Sequence, residues 1–146
     1  MNVIKTIMVA AGLSLVCASP VFAAQDKDQH KAEKQKIDAD YKAAKEKCKD
    51  LKGNAKDICM AEAKGQEKVA KAELALKEKD TPKNRYDVAA AKADMDYHVA
   101  KEKCDDMKGK EKNQCEKDAK AARDNAKKQA KAERESSEGK KGNKKA

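Results

Sequence analysis

The chain carries the same kind of cysteine-bracketed segment twice, CKDLKGNAKDIC from Cys48 to Cys59 and CDDMKGKEKNQC from Cys104 to Cys115. In each segment ten residues separate the cysteines, and a glycine stands next to the midpoint. An offset of 56 aligns residues 36–75 with residues 92–131, with eighteen identities in forty positions. Because the matched tyrosine, cysteines and glycine are not explained by shared Lys and Ala, the repeat is an internal duplication and the structural unit.

Each repeat predicts two helices joined by a tight turn. Apolar residues before the turn recur at intervals of four and three, which is the spacing of one helical stripe. The first stripe comprises Ile37, Tyr41, Ala44, Cys48 and Leu51, and the second comprises Tyr86, Ala90, Ala93, Tyr97, Ala100, Cys104 and Met107. The predicted helices lie near residues 27–52, 54–79, 82–108 and 111–134.

The turns have their own signals. Gly53 and Gly109 suit the left-handed position that ends a helix, and Asn54 is predicted to cap the following helix. Between the repeats, Thr81 is a predicted cap and Pro82 suits the first helical position.

The cysteines are equally distant from the turn in each hairpin, since the midpoints of both pairs fall beside Gly53 and Gly109. This symmetry predicts disulfides Cys48–Cys59 and Cys104–Cys115. A zinc site made of all four cysteines is the alternative, although the short C-x₂₋₄-C spacing is absent. Neither C-x-x-C nor C-x-x-C-H occurs, which disfavours thioredoxin-type redox chemistry and haem attachment. The sequence therefore predicts no cofactor.

The composition predicts an all-α protein with little core. Beyond residue 23 there is no Trp or Phe, and Ala, Lys and Glu, which are strong helix formers, dominate. Four helices in two disulfide-closed hairpins could form a compact bundle or an elongated arrangement, and the sequence leaves both open.

The domain organisation follows from the ends of the chain. Residues 1–23 have a positive Lys5, an apolar stretch and the V-F-A pattern of a cleavage site, which predicts a signal peptide removed before Ala24 together with Cys17. The hairpin repeats then occupy 24–80 and 81–134. Residues 135–146 contain Gly, Ser and Lys but no large apolar side chain, which predicts a disordered basic tail. No stable membrane span is expected in the mature chain.

No residue pattern makes a positive case for an enzyme. His30 and His98 have no partner at a catalytic or metal-ligand spacing and are predicted to lie on the surface. The paired acids Asp38/Asp40 and Asp94/Asp96 stand two residues apart, so they do not share a helix face. Tyr41 and Tyr97 are interpreted as packing residues of the stripes.

The pattern Y-x₆-C-x₄-G-x₅-C, present in both repeats as YKAAKEKCKDLKGNAKDIC and YHVAKEKCDDMKGKEKNQC, resembles small exported Ala/Lys/Glu-rich proteins of Gram-negative bacteria. Such proteins are described as TolA-like or cell-envelope-biogenesis proteins. The resemblance implies an envelope location and helical character.

The expected function is a non-enzymatic structural or binding role in the periplasm, with the ligand or partner unknown. The formal charge of +9 supports an alternative, electrostatic binding of lipopolysaccharide, an anionic membrane surface or nucleic acid. Another envelope protein is a further possible partner, and a four-cysteine metal protein is the second alternative. The candidate polyanion-binding residues are the lysines of the tail, Lys140, Lys141, Lys144 and Lys145.

Overall fold

The computed structural model describes residues 22–142, with side chains described for 27–139, and this part of the chain consists of four helices and no strand. The helices are α1 (Phe22–Lys49), α2 (Gly53–Glu78), α3 (Pro82–Cys104) and α4 (Gly109–Gly142). The predicted all-α fold of two disulfide-closed hairpins is therefore confirmed. The predicted signal peptide, apart from its last two residues in α1, lies outside the described residues, as does Cys17.

The helices form an open row. Among residues 22–142, α1 contacts α2, α2 contacts α3 and α3 contacts α4, while α1 touches neither α3 nor α4. Each connection is a tight turn, so neighbouring helices run antiparallel. The compact bundle is thus wrong and the elongated alternative holds, with the two hairpins packed side by side through α2 and α3.

The two hairpins repeat the same contacts. The Nζ of Lys71 on α2 lies 3.1 Å from Asp38 on α1, and at the equivalent positions the Nζ of Lys127 on α4 lies 2.7 Å from Asp94 on α3. Leu74 and its repeat equivalent Ala130 are both buried. The two sequence repeats therefore make equivalent packing contacts.

The core is thin, as the composition predicts. Apart from the cysteines, the buried apolar side chains are those of Ala63, Leu74, Val88, Ala93 and Ala130. Gly65 is also buried, because Met95 on α3 packs directly against the backbone of α2 at this position. Small residues thus allow the helices to approach closely where few large side chains are available.

The turn between the repeats is held by side chains as well as by backbone. Thr81 caps α3, with its hydroxyl accepting a hydrogen bond from the Asn84 N–H at 3.1 Å, and Pro82 occupies the first helical position, as predicted. The Asn84 side chain also donates to the carbonyl oxygens of Ala75 at 2.9 Å and Lys79 at 2.7 Å. These bonds tie the end of α2 to the start of α3.

The C-terminal segment corrects a prediction. α4 continues to Gly142, so residues 135–142 are helical and not a disordered tail. Ion pairs one turn apart, Lys131 with Glu135 and Arg134 with Glu138, run across the predicted boundary and support the helix. Residues 143–146 lie outside the described part of the chain.

No helix within residues 22–142 is long and apolar enough to cross a membrane.

Candidate functional site

The predicted disulfides are both present. Cys48 and Cys59 have Cα atoms 5.6 Å apart, and Cys104 and Cys115 have Cα atoms 5.7 Å apart, each pair joined through sulfur. Both distances fall in the range that a disulfide requires. The structure therefore overturns the four-cysteine metal site, because these sulfurs are bonded to each other and are not thiolate ligands. No cluster of three or more His, Cys, Asp or Glu side chains suited to a metal occurs among the described residues.

The row places both disulfides at the same end of the molecule. The α1–α2 and α3–α4 turns lie at one end and the α2–α3 turn lies at the other, because neighbouring helices are antiparallel. We define the turn end as residues 47–57 together with residues 103–113. Cys48 and Cys104 have no exposed surface, so each turn is anchored to its hairpin by a buried sulfur.

The last residue of each hairpin turn is a glycine in the left-handed conformation. Gly53 and Gly109 both have φ of 57°, which a residue with a side chain rarely adopts. The left-handed conformation agrees with the prediction, but the predicted place at the end of a helix is wrong, because Gly53 and Gly109 are the first residues of α2 and α4. The predicted role of Asn54 is wrong: α2 begins at Gly53, the cap position is Lys52, and no side chain caps this helix.

Leu51 and Met107 do not continue the packed stripes. α1 ends at Lys49 and α3 ends at Cys104, so the chain leaves the helix before it reaches the last predicted stripe member. Leu51 is 39% exposed and Met107 is 43% exposed. These residues are repeat equivalents, and each turn therefore presents one apolar side chain to solvent.

Charged side chains surround these two residues. Within the turn end there are eight lysines and five carboxylates, an excess of +3. Lys112 donates to Asp105 at 2.7 Å, and this hydrogen bond holds the pKa of Asp105 below its usual value. Among the side chains that the structure describes, no carboxylate oxygen lies within 4.0 Å of six of the eight lysines: Lys47, Lys52, Lys56, Lys103, Lys108 and Lys110.

A second candidate surface is a groove of about 380 Å³ between α2 and α3. Its lining includes Met60 and Gly65 from α2 and Asp94, Met95 and His98 from α3. Met95 forms the floor against the backbone at Gly65. The groove therefore combines an apolar floor with charged and polar walls, which suits a side chain or a short segment of a partner. Sequence analysis missed it, because it lies between the repeats.

The remaining predicted residues lie apart from one another. The Nε2 of His30 lies 3.1 Å from a carboxylate oxygen of Glu78, while His98 lines the groove. Asp40 pairs with Lys36 on its own helix, whereas Asp38 and Asp94 join helices through Lys71 and Lys127. In each of these pairs the Nζ of the lysine lies close to a carboxylate oxygen of the aspartate.

Basic side chains lie over the rings of the tyrosines in the stripes. The guanidinium of Arg123 lies 4.3 Å from the centroid of Tyr97, and the Nζ of Lys45 lies 5.2 Å from that of Tyr41. Such contacts stabilise the helix surfaces and leave no free ring face for a ligand on these sides.

The predicted polyanion-binding lysines are only partly described. The backbone of Lys140 and Lys141 belongs to α4, and Lys144 and Lys145 lie outside the described residues.

No protein-family model, curated protein or solved structure matches this chain.

Proposed function

We propose that the protein is a non-enzymatic, disulfide-locked helical binding module that works in the periplasm of a Gram-negative envelope. The observation that carries this proposal is the open row, because helices that contact only their neighbours leave both broad faces and the α2–α3 groove accessible to a partner. The two disulfides support an oxidising compartment, where such bonds persist. The signal-like residues 1–23 and the resemblance to exported TolA-like proteins support the same location.

The proposal is tested by photo-cross-linking in cells. A photoreactive residue at Ala61, which lines the groove, is compared with one at Ala121, which is exposed on α4. A discrete adduct at position 61 that is absent at position 121 supports a partner in the groove. Equal patterns at both positions, or a protein recovered from the cytoplasm with free thiols, would overturn the proposal.

Electrostatic binding of polyanions is the second candidate, and a specific observation favours it. Six lysines of α1 have no carboxylate oxygen of the described side chains within 4.0 Å: Lys27, Lys31, Lys34, Lys42, Lys45 and Lys47. In contrast, Arg134 on α4 is paired with Glu138. We therefore propose that lysines of α1, as well as the terminal lysines, contribute to this binding.

Heparin chromatography separates these two sources of charge. One variant replaces Lys31, Lys34, Lys42 and Lys45 by Gln, and the matched variant makes the same change at Lys140, Lys141, Lys144 and Lys145. Both lower the net charge by the same amount. Earlier elution of the first variant assigns binding to α1, and earlier elution of the second assigns it to the terminal lysines. Retention that ignores both changes would exclude electrostatic binding by these groups.

A further inference from the structure

The turn end presents the only two large apolar side chains of the described residues that are more than a third exposed, Leu51 and Met107. They occupy equivalent positions of the two repeats, so both copies keep an apolar side chain at the tip of the turn. The opposite end of the molecule has no such side chain among the described residues. Both residues lie beyond the ends of α1 and α3 and are not among the buried core residues.

We call the side chains of Leu51 and Met107 the tips, and each of them belongs to a hairpin closed by its own disulfide. Each tip follows a fully buried cysteine by three residues, and each buried cysteine is bonded to the next helix. Since both turns lie at one end of an antiparallel row, the tips point away from the same end of the molecule. A surface that meets this end therefore meets both apolar side chains together.

Positive charge exceeds negative charge around Leu51 and Met107. Lys52 and Lys108 directly follow the two apolar residues, are repeat equivalents and have no carboxylate within 4.0 Å. The whole turn end carries an excess of +3. Lysine side chains around an exposed apolar residue suit a surface that is apolar beneath and anionic on top, because lysine keeps its amine with the anions while its stem lies along apolar groups.

We propose that the turn end docks on an anionic lipid bilayer, with Leu51 and Met107 inserted at the headgroup level and the neighbouring lysines on the lipid phosphates. A stable protein interface buries about 800 Å² on each partner, and two separate side chains on two turns do not make such a patch. A soluble polyanion would contact the lysines but would not use the apolar pair. A bilayer accepts separate insertion points and uses both features.

This inference rests on the proposed binding function but uses a different surface from the α2–α3 groove. Sedimentation with vesicles of phosphatidylglycerol and phosphatidylcholine tests it, with pure phosphatidylcholine vesicles as the comparison. We expect binding to the anionic vesicles at low salt, weakened as salt rises. Replacing both Leu51 and Met107 by Gln, which leaves the charge unchanged, should weaken binding about tenfold. The same variant should keep its retention on heparin.

Lysine variants provide the matched control. The double change Lys52→Gln and Lys108→Gln should weaken vesicle binding more than Lys79→Gln and Lys128→Gln, which remove the same charge away from the turn end. All four lysines are exposed and have no ion pair, so each variant should keep the helical circular dichroism of the parent.

Insertion is measured directly with tryptophan, because the chain contains none. Leu51→Trp and Met107→Trp should each shift emission to the blue on anionic vesicles, and Lys79→Trp should not. The proposal is overturned if anionic vesicles do not bind at low salt, if the Gln pair at 51 and 107 leaves binding unchanged, or if Trp at position 79 shifts equally. None of these outcomes changes the cross-linking result at Ala61, so the two proposals fail separately.

Discussion

Met95 of α3 occupies the space that a side chain at Gly65 of α2 would fill. A Cβ on Gly65 would lie 2.7 Å from the Cβ of Met95 and closer still to its Cγ. Real Cβ atoms do not approach this closely, so Gly65→Ala should push α2 and α3 apart. We expect the free energy of unfolding to fall by about 1–3 kcal/mol, as for other overpacked interiors, and urea titration followed by circular dichroism measures it.

Gly139→Ala is the control for this change. Gly139 also lies in a helix, but a Cβ there would meet nothing within 4 Å. Because alanine favours the helix over glycine by about 0.5–1 kcal/mol, this variant should be as stable as the parent or slightly more stable. If both variants behave alike, Gly65 has no special role in the contact between the hairpins.

The contact between Gly65 and Met95 could not be predicted from the sequence. The repeat aligns Gly65 with Ala121 and Met95 with Ala39, so neither residue belongs to the duplicated pattern. The hairpins could be predicted, because a stripe, a glycine and two symmetric cysteines are local signals. The packing of α2 on α3 joins distant parts of the chain, and no local signal reports it.

Two other errors have local physical causes. The spacing of Leu51 and Met107 fits a helical stripe, but spacing does not show where the helix ends. The Ser and Gly residues of the segment 135–142 predict disorder, yet the Ser136 and Ser137 hydroxyls donate to the carbonyl oxygen of Glu133 within the helix, at 2.9 and 2.8 Å. Such hydrogen bonds satisfy a serine hydroxyl inside a helix. Leu51 and Met107 can be recognised as candidate lipid-binding residues only from the exposure of their side chains in the structure.

Removing the disulfides should lower stability strongly, because the core is thin. Cys48→Ala with Cys59→Ala opens the first hairpin, and Cys104→Ala with Cys115→Ala opens the second. Each change should cost about 2.5–3 kcal/mol through the entropy of the unfolded chain. Helical circular dichroism should persist at low temperature, since Ala, Lys and Glu favour helix without a core. Thermal and urea unfolding of both variants measure the loss.

The two disulfide variants also check each other. They lie in equivalent hairpins, so their losses should be similar. Addition of reductant to the parent should lower its melting temperature below that of either variant, because both bonds are then broken. A parent whose melting temperature is unaffected by reductant would show that the disulfides do not stabilise this fold.

Acid should destabilise the protein through two carboxylates that join helices. Hydrogen bonds from Lys77 and Lys112 hold the pKa values of Glu33 and Asp105 below their usual values. A lowered pKa in the folded state contributes stability above the pKa of the unfolded chain, about 4.3 for Glu and 3.9 for Asp. This contribution is lost as pH falls through the folded values. The free energy of unfolding should therefore decline from about pH 5 downward.

Substitution identifies the groups responsible for this acid dependence. Glu33→Gln together with Asp105→Asn should give a shallower decline than the parent in urea titrations between about pH 5 and 3. Asp50→Asn together with Glu62→Gln removes two carboxylates that have no ion pair, and should keep the slope of the parent. An equal slope in all three proteins would assign acid denaturation to other groups.

Two asparagines should differ sharply in their contribution to stability. Asn84 donates to two carbonyl oxygens at the end of α2, at 2.9 and 2.7 Å, whereas the Nδ2 of Asn54 is buried without a hydrogen-bond partner. Asn84→Ala should lower the free energy of unfolding by about 1–2 kcal/mol, because it removes both of these hydrogen bonds. Asn54→Ala should be neutral or stabilising, since it removes a buried unsatisfied group and replaces it with a better helix former. Urea titrations of the two variants under the same conditions measure the difference. A loss at Asn54 as large as the loss at Asn84 would show that Asn54 acts as a cap in solution and that α2 begins differently from the structure described.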